Sequence, residues 1–145
     1  MLALIQRVTQ ARVEVDGTCV GRIDAGLLAL VGIQPGDGDA QVARMAQRLL
    51  GYRVFDDGDG RMNRSLADTG GGLLLVSQFT LAADTASGMR PGFSTAAAPE
   101  AAEPVFNHLV AACRAHAGAV ETGRFGAHMV VTLANDGPGT FLLRD

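Results

Sequence analysis

Lysine and tryptophan are absent from this chain of 145 residues, and all of its basic residues are arginine. Its 12 basic residues are outnumbered by 15 acidic ones, which gives a formal net charge of −3 at pH 7. Proteins that bind nucleic-acid phosphates non-specifically carry an excess or a cluster of basic residues. The composition therefore argues against a DNA partner, while recognition of one RNA end through a few contacts stays open.

Cysteine is also scarce, and Cys19 and Cys113 lie far apart in the sequence. Both fall within apolar patterns, where a free cysteine usually behaves as a small buried hydrophobic residue. Neither has the spacing to another cysteine or to a histidine that metal ligands show. We expect two buried, reduced thiols, no disulfide, no metal and no cofactor.

Long apolar runs are missing as well. No stretch approaches the roughly 20 apolar residues of a membrane-spanning helix, and residues 1–5 lack the charged start and long apolar centre of a signal peptide. We therefore expect a cytosolic protein with no membrane partner. With 48% hydrophobic residues, the 145 residues have the size of a single domain that buries a real core.

Strand patterns dominate what is present. Alternation of period two over residues 12–15 ends at Asp16-Gly17, a pair typical of hairpin turns, and a partner strand is predicted over 19–23. The apolar runs 27–31 and 73–79 are short enough to be strands buried on both faces. Further strands are predicted at 53–55, 129–133 and 140–143, with a hairpin turn at 135–138 between the last two.

Two helices are predicted among these strands. From Ala40 to Gly51 apolar positions recur at helical spacing, and Asp39 is available to cap the first amide groups. A second stripe begins at Pro99, a residue favoured at helix starts, and ends near Gly118. Residues 84–98 are predicted to form a loop. We expect an α/β or α+β fold in which both helices pack against a mixed sheet system in layers.

Familiar protein-based catalytic sets are not found. His108, His116 and His128 lack partners at catalytic or metal-ligand spacing, and we interpret them as surface or capping residues. Ser77 lacks the flanking glycines of a nucleophile elbow, so a serine hydrolase is not expected. The acidic turn 56–59 lacks the glutamate of a calcium loop, and a solvated turn explains it better.

Two segments are harder to explain as ordinary structure. Ser77-Gln78-Phe79-Thr80-Leu81 ends an apolar strand in polar residues, which is either a plain exposed strand end or a polar cluster at a binding site. Asn135-Asp136-Gly137-Pro138 has the composition of a turn. Its proline, however, removes a hydrogen-bond donor where a returning strand should begin to pair, and proteins usually confine such prolines to edges or special sites.

Together the two segments resemble the signature motifs of the D-aminoacyl-tRNA deacylase family, at the separation expected there. The resemblance implies a homodimer with active sites at the subunit interface, and a layered sandwich of mixed β-sheets with two helices on one face. It also implies hydrolysis of the ester between a D-amino acid, or glycine, and the 3′ end of tRNA. Further matching blocks span the chain: Ala3-Leu4-Ile5-Gln6-Arg7-Val8, Gly51-Tyr52-Arg53 with Phe55, Ala82-Ala83-Asp84-Thr85, Gly88-Met89-Arg90-Pro91 and Thr122-Gly123-Arg124-Phe125.

The resemblance also assigns substrate-binding residues. Gly137-Pro138 is expected to be a cis pair that enters the neighbouring subunit's site, where its carbonyls exclude an L side chain. Asn135 belongs to the same segment, and Arg7 is expected to hold the two carbonyls, because a guanidinium donates to two oxygens at once. Met89 and Phe93 are expected to line the adenine pocket.

By the same resemblance, catalysis depends on residues 77–80. Phe79 is expected to act as a backbone donor near the scissile carbonyl, where one well-aimed donor contributes about 2.7 to 4 kcal/mol. Ser77 and Gln78 are expected to form the pocket wall, and Thr80 to supply a positioning hydroxyl. The 2′-OH of the terminal adenosine is expected to assist, which fits the missing protein base.

One position departs from the family's pattern. The family usually has valine after the Gly-Pro pair, whereas this chain has Gly139. A glycine adds backbone freedom and lacks a β-branched anchor, so we expect weaker rejection of L substrates unless another contact compensates.

Two other functions stay open. A non-catalytic module that binds the RNA end would keep the fold without turnover, and loss of Gln78 or of Gly137-Pro138 would favour it; all three residues are present. An esterase or peptidase with Thr80 or Ser77 as nucleophile would form a covalent intermediate and act on simple esters. Neither alternative accounts for the Gly-Pro turn.

Overall fold

The computed structural model of the chain describes residues 1–145 and has a mixed α/β architecture. One six-stranded sheet carries most of the strands, and a two-stranded hairpin stands apart from it. The elements are, in chain order, β1 (Leu2–Val15), β2 (Thr18–Ile23), β3 (Gly26–Gly32), α1 (Asp39–Gly51), β4 (Phe55–Asp56), β5 (Met62–Arg64), α2 (Leu66–Thr69), β6 (Gly72–Ser77), a 3-10 turn (Phe79–Ala82), α3 (Pro99–Cys113), β7 (Val120–Thr122) and β8 (Val130–Arg144).

Strand β1 organises the large sheet. Along one side it pairs antiparallel with β8 over nearly its whole length. Along the other side its first half pairs antiparallel with β3 and its second half with β2. β6 and β7 extend the sheet beyond β3 in parallel. β2 also contacts β6 and β7, so the sheet curls until it is nearly closed.

The curl divides the apolar interior into two clusters. The larger one lies between the sheet and the helices α1 and α3, and it includes Leu27 and Leu73. The smaller one lies on the other face and includes Leu28 and Leu74. Adjacent residues of β3 and β6 therefore point into different clusters, which confirms the prediction that both strands are buried on both faces.

Several local predictions are confirmed in these elements. Asp16 and Gly17 join β1 to β2 with positive φ angles of 49° and 77°, the geometry of a tight hairpin turn. Pro99 is the first residue of α3. The residue before α1, however, is Gly38, and Asp39 is already helical, so the expected Asp39 cap is wrong. The Gly38 amide donates instead to the Gln41 side chain at 2.9 Å.

Other bounds differ from the sequence predictions. α3 ends at Cys113 instead of near Gly118, and the strand predicted at 53–55 is formed at Phe55–Asp56. Residues 77 and 79 separate, because β6 ends at Ser77 and a 3-10 turn begins at Phe79. β7 and α2 were not predicted, since elements of three and four residues are too short to show a hydrophobic period.

The hairpin predicted at 135–138 is wrong. Residues 130–144 form the single strand β8, and both halves pair with β1 in the same antiparallel direction. Between the pairs Gln6↔Thr140 and Val8↔Asn135 the register shifts, so that residues 136–139 bulge out opposite Arg7 alone. The Gly-Pro pair therefore lies in a bulge of an edge strand.

Candidate active site

The polar end of β6 is shaped by its backbone. The Gln78 amide donates to the Val31 carbonyl at 2.7 Å, which holds the strand end against β3. The chain then turns, and the Gln78 side chain donates to the Thr80 hydroxyl at 2.6 Å. As the first residues of the 3-10 turn, Phe79 and Thr80 have backbone N–H groups without an acceptor in the turn itself. This end of the strand can offer donors to a ligand.

A cavity of about 670 Å³ opens beside this strand end, within the usual size of small-ligand sites. Its wall is mostly apolar, and its only polar side chains are those of Ser77, Gln78 and His128. Phe79 and Phe93 form part of the wall with ring centroids 5.3 Å apart and planes tilted by 52°. Such a cavity accepts a flat, largely apolar group with a few polar contacts.

Of the two residues expected in an adenine pocket, the chain places one at the cavity. Phe93 lies on the wall and is 46% exposed. Met89 is 99% exposed and is not part of the wall, so its expected place in the pocket is wrong for the single chain. Its loop extends into solvent, where no residue of the chain covers it.

The histidines differ in their surroundings. His108 lies on the surface of α3, 3.4 Å from the Asp39 carboxylate. His116 lies beyond the end of α3, and its Nε2 is 2.7 Å from the Gly71 carbonyl oxygen. His128 is the only ionisable residue on the cavity wall, which sequence reasoning missed because its position before β8 carries no pattern.

The bulge of β8 forms a second cluster. The Gly137-Pro138 peptide bond is cis, and both residues are exposed. The Asn135 side chain donates to the Arg7 carbonyl at 3.0 Å and accepts from the Thr140 hydroxyl at 3.3 Å. The side chain of Asn135 thus ties the start of the bulge to β1.

Arg7 supports the bulge from beneath. Its Nε donates to the carbonyl of Asp136 at 3.1 Å, one residue before the Gly-Pro pair, so the expectation that it holds the Gly137 and Pro138 carbonyls is wrong. Its Nη1 donates to the Val54 carbonyl at 2.9 Å and to the Asp56 carboxylate at 3.3 Å. Because Arg7 is only 5% exposed, it fixes the backbone and does not face the solvent.

The two clusters lie at opposite ends of β3. Ser77 pairs with Val31, while Arg7 pairs with Leu27. Four residues of strand separate these positions, which corresponds to about 13 Å. No residue from 135 to 138 lines the cavity. A single chain therefore does not bring Gly137-Pro138 next to Ser77-Gln78-Phe79-Thr80.

Other reactive groups do not add to either cluster. Cys113 is buried as expected, and burial raises the pKa of its thiol to about 11, which leaves it protonated and unreactive at neutral pH. Cys19 is exposed, contrary to the expectation of burial, because it lies near the end of β2. No group of three or more His, Cys, Asp or Glu residues could hold a metal ion. No helix combines the length and apolar composition needed to cross a bilayer.

Comparison with known proteins gives consistent matches along the chain. The family profile described as D-Tyr-tRNA(Tyr) deacylase matches residues 4–144. A protein named D-aminoacyl-tRNA deacylase from Xanthomonas axonopodis pv. citri (strain 306) is 74% identical over 145 residues, covering 99% of each chain. A protein of the same name from Stenotrophomonas maltophilia (strain K279a) is 72% identical with the same coverage.

Two solved structures show the same fold. One, described as "c-Myc DNA Unwinding Element Binding Protein", has a TM-score of 0.95 and 36% identity, covering 100% of this chain and 99% of that one. The other, described as a structural analysis of a probable eukaryotic D-amino acid tRNA deacylase, has a TM-score of 0.81 and 16% identity, with coverage of 98% and 97%. The second likeness concerns the fold alone.

Proposed function

The chain belongs to the D-Tyr-tRNA(Tyr) deacylase family and is a D-aminoacyl-tRNA deacylase, and on this basis we propose how its two clusters form one hydrolytic site. The enzyme hydrolyses the ester of D-aminoacyl-tRNAs and of mischarged glycyl-tRNA in the cytoplasm. The Gly137-Pro138 pair rejects L-aminoacyl-tRNAs. The remaining residues position the ester and the 3′ end of the tRNA.

The cavity beside β6 receives the terminal adenosine and the aminoacyl ester. Its volume of about 670 Å³, its apolar wall and the aromatic pair Phe79 and Phe93 suit a nucleobase. Ser77 and Gln78 supply polar contacts at the strand end. The free N–H groups at the start of the 3-10 turn suit a developing oxyanion.

Gly137-Pro138 acts in the cavity of a second subunit. Its exposure and the separation of about 13 Å along β3 are the observation that carries this step, because one chain cannot use both clusters in one site. β8 pairs with β1 along one side only, which leaves its other edge free for a partner chain. A homodimer with two sites at its interface satisfies both features.

Chiral selection follows from the glycine. With no side chain, Gly137 lets its backbone approach the substrate Cα closely, and the bulge carbonyls occupy the space that an L side chain would need. A D side chain points away from them, and glycine has none. The site therefore rejects by exclusion without reading the side chain it accepts.

Chemistry is assisted by the 2′-OH of the terminal adenosine. An aminoacyl ester is already activated, so positioned water and oxyanion donors are the main requirements. The Thr80 hydroxyl accepts a hydrogen bond from Gln78 at 2.6 Å, an arrangement that suits positioning. It has no base beside it, and a nucleophilic hydroxyl requires one.

The test compares three substrates: D-tyrosyl-tRNA, L-tyrosyl-tRNA and D-tyrosyl-tRNA whose terminal ribose lacks the 2′-OH. We expect fast hydrolysis of the intact D ester alone. Equal hydrolysis of both enantiomers would contradict the chiral gate, and full activity without the 2′-OH would contradict the RNA-assisted step. A Thr80→Val variant separates the nucleophile alternative, since that mechanism predicts complete loss of activity and the proposal predicts retained turnover.

A non-catalytic binding module is the other outcome. It would bind the aminoacylated 3′ end without hydrolysing any of the three esters. The name of the 36% identical structure refers to a DNA element. The net charge of −3 and the lack of lysine give this chain no basic surface of the kind that duplex DNA requires.

A further inference from the structure

Arg7 is a buried cation whose surroundings differ from those of every other arginine in the chain. It and Ser65 are the only buried polar residues. A buried guanidinium is stable only when acceptors surround it. Its contacts therefore show which groups determine its position.

Those contacts join segments that are distant in sequence. Nε donates to the Asp136 carbonyl in the bulge, and Nη1 donates to the Val54 carbonyl and to the Asp56 carboxylate before and within β4. The Asp56 carboxylate is the only anionic group that contacts this cation. Arg7 thus connects the hairpin of β4 and β5 to the Gly-Pro bulge.

Gly139 completes the enclosure on the remaining side. It is buried, and a Cβ added to it would overlap the Arg7 Nε and lie 3.0 Å from the Arg7 Cδ and Cγ. Its φ angle is not positive, so the backbone conformation itself does not demand glycine. The requirement is for space, and Arg7 occupies it.

This packing reverses the effect first expected of Gly139. The comparison with the family's valine suggested a looser gate. In the structure the absent side chain instead lets the guanidinium lie against β8 under the Asp136 carbonyl. A larger residue at 139 must therefore displace either Arg7 or the bulge.

We propose that Gly139 and Asp56 are positioning residues for chiral selection, acting through Arg7 on the Gly-Pro bulge. The inference rests on the proposed function of Gly137-Pro138. Gly139 supplies the space and Asp56 supplies the countercharge that together fix the guanidinium. The fixed guanidinium holds the Asp136 carbonyl, and this carbonyl sets the direction in which the next two residues leave the strand.

The test uses Gly139→Ala and Asp56→Asn, each with a matched control from the same protein. Gly58→Ala adds a methyl group where nothing lies within 4 Å, and Asp59→Asn removes one charge from the same hairpin without touching Arg7. Two readouts are compared: the ratio of kcat/KM for D- and L-tyrosyl-tRNA, and the solvent exchange rate of the Arg7 Nε–H measured by NMR.

We expect both test variants to accelerate Nε–H exchange and to lower the D-to-L ratio by roughly tenfold, in line with a lost hydrogen bond to a charged group. The two control variants should match the wild type in both readouts. Unchanged exchange together with unchanged discrimination in Asp56→Asn and Gly139→Ala would overturn the inference. If Gly139→Ala fails to fold, Asp56→Asn decides alone, because the Asp56 side chain is 58% exposed.

The failure of the proposed function has a different signature. In that case the wild type itself hydrolyses neither ester or does not distinguish them, whatever the variants do. The Nε–H exchange rate needs no substrate, so it still decides whether Gly139 and Asp56 fix the guanidinium. Faster exchange in both variants with an unchanged D-to-L ratio would reject a role in selection while retaining the structural contact.

Discussion

His128 determines, at the scale of single residues, how the absence of a protein base is understood. It is the only ionisable side chain on the cavity wall, and its position makes it a candidate general base that the proposed mechanism does not use. General bases contribute about 10²- to 10⁴-fold to rate, so the two mechanisms predict very different effects of its removal.

We predict that His128→Asn keeps kcat for D-tyrosyl-tRNA within about threefold of the wild type, well short of the loss expected for a general base. His108→Asn, on the exposed surface of α3, is the control. Single-turnover deacylation over a range of pH measures the effect. A hundredfold loss together with disappearance of a titration near the ordinary histidine pKa of about 6.5 would assign the base to His128.

At the scale of elements, the hairpin of β4 and β5 depends on one carboxylate. Asp57 accepts hydrogen bonds from the Asn63 side chain at 2.7 Å and from the amides of Arg61 and Asp59 at 3.1 and 2.8 Å. These bonds, with that from Asn63 the strongest, hold the pKa of Asp57 below its usual value. The same hairpin carries Asp56, which contacts Arg7.

The lowered pKa fixes the sign of a pH effect. A carboxylate with a depressed pKa in the folded state stabilises it above the ordinary pKa of about 4, and this contribution is lost as the pH falls below that value. We predict faster amide exchange in residues 57–63 near pH 3 than the intrinsic pH dependence of exchange explains. Asp57→Ala should show the same loss of protection at neutral pH.

The control for this prediction is Asp59→Ala, because the Asp59 carboxylate makes no such bonds. Equal protection of the hairpin in the wild type and in Asp57→Ala would show that the turn holds without the carboxylate. If the hairpin positions Arg7, Asp57→Ala should also speed exchange of the Arg7 Nε–H.

At the scale of the whole molecule, the separation of the clusters predicts function in trans. We predict a particle of twice the chain mass of 15.0 kDa by light scattering. Mixed dimers then test the sharing of sites: one subunit carries Ala127→Trp, which fills the cavity, and the other carries Pro138→Ala, which alters the bulge. The intact cavity and the intact Gly-Pro pair are then on different chains.

Selection in trans requires that these mixed dimers hydrolyse D-tyrosyl-tRNA and reject the L ester. The two homodimers are the controls, since Ala127→Trp alone should be inactive and Pro138→Ala alone should be unselective. A mixed dimer as unselective as the Pro138→Ala homodimer would show that each chain serves its own cavity.

Short-range rules in the sequence determined several features correctly. The turn at Asp16-Gly17 and the helix start at Pro99 depend on the backbone preferences of those residues alone. The apolar runs of β3 and β6 indicated burial on both faces before any partner was known. The motif at residues 77–80 marked the polar end of β6, where the cavity lies.

Only the tertiary structure decided the features that depend on partners distant in sequence. The composition of Asn135-Asp136-Gly137-Pro138 is that of a turn, yet β1 pairs with both flanking halves and makes one strand of them. Arg7 meets Asp56, Asp136 and Gly139 only after the chain has folded, and the distance between the Gly-Pro bulge and the cavity is set by the register of β3. Local sequence fixes local conformation, whereas strand pairing and buried charge contacts bring distant residues together and so determine which groups share a site.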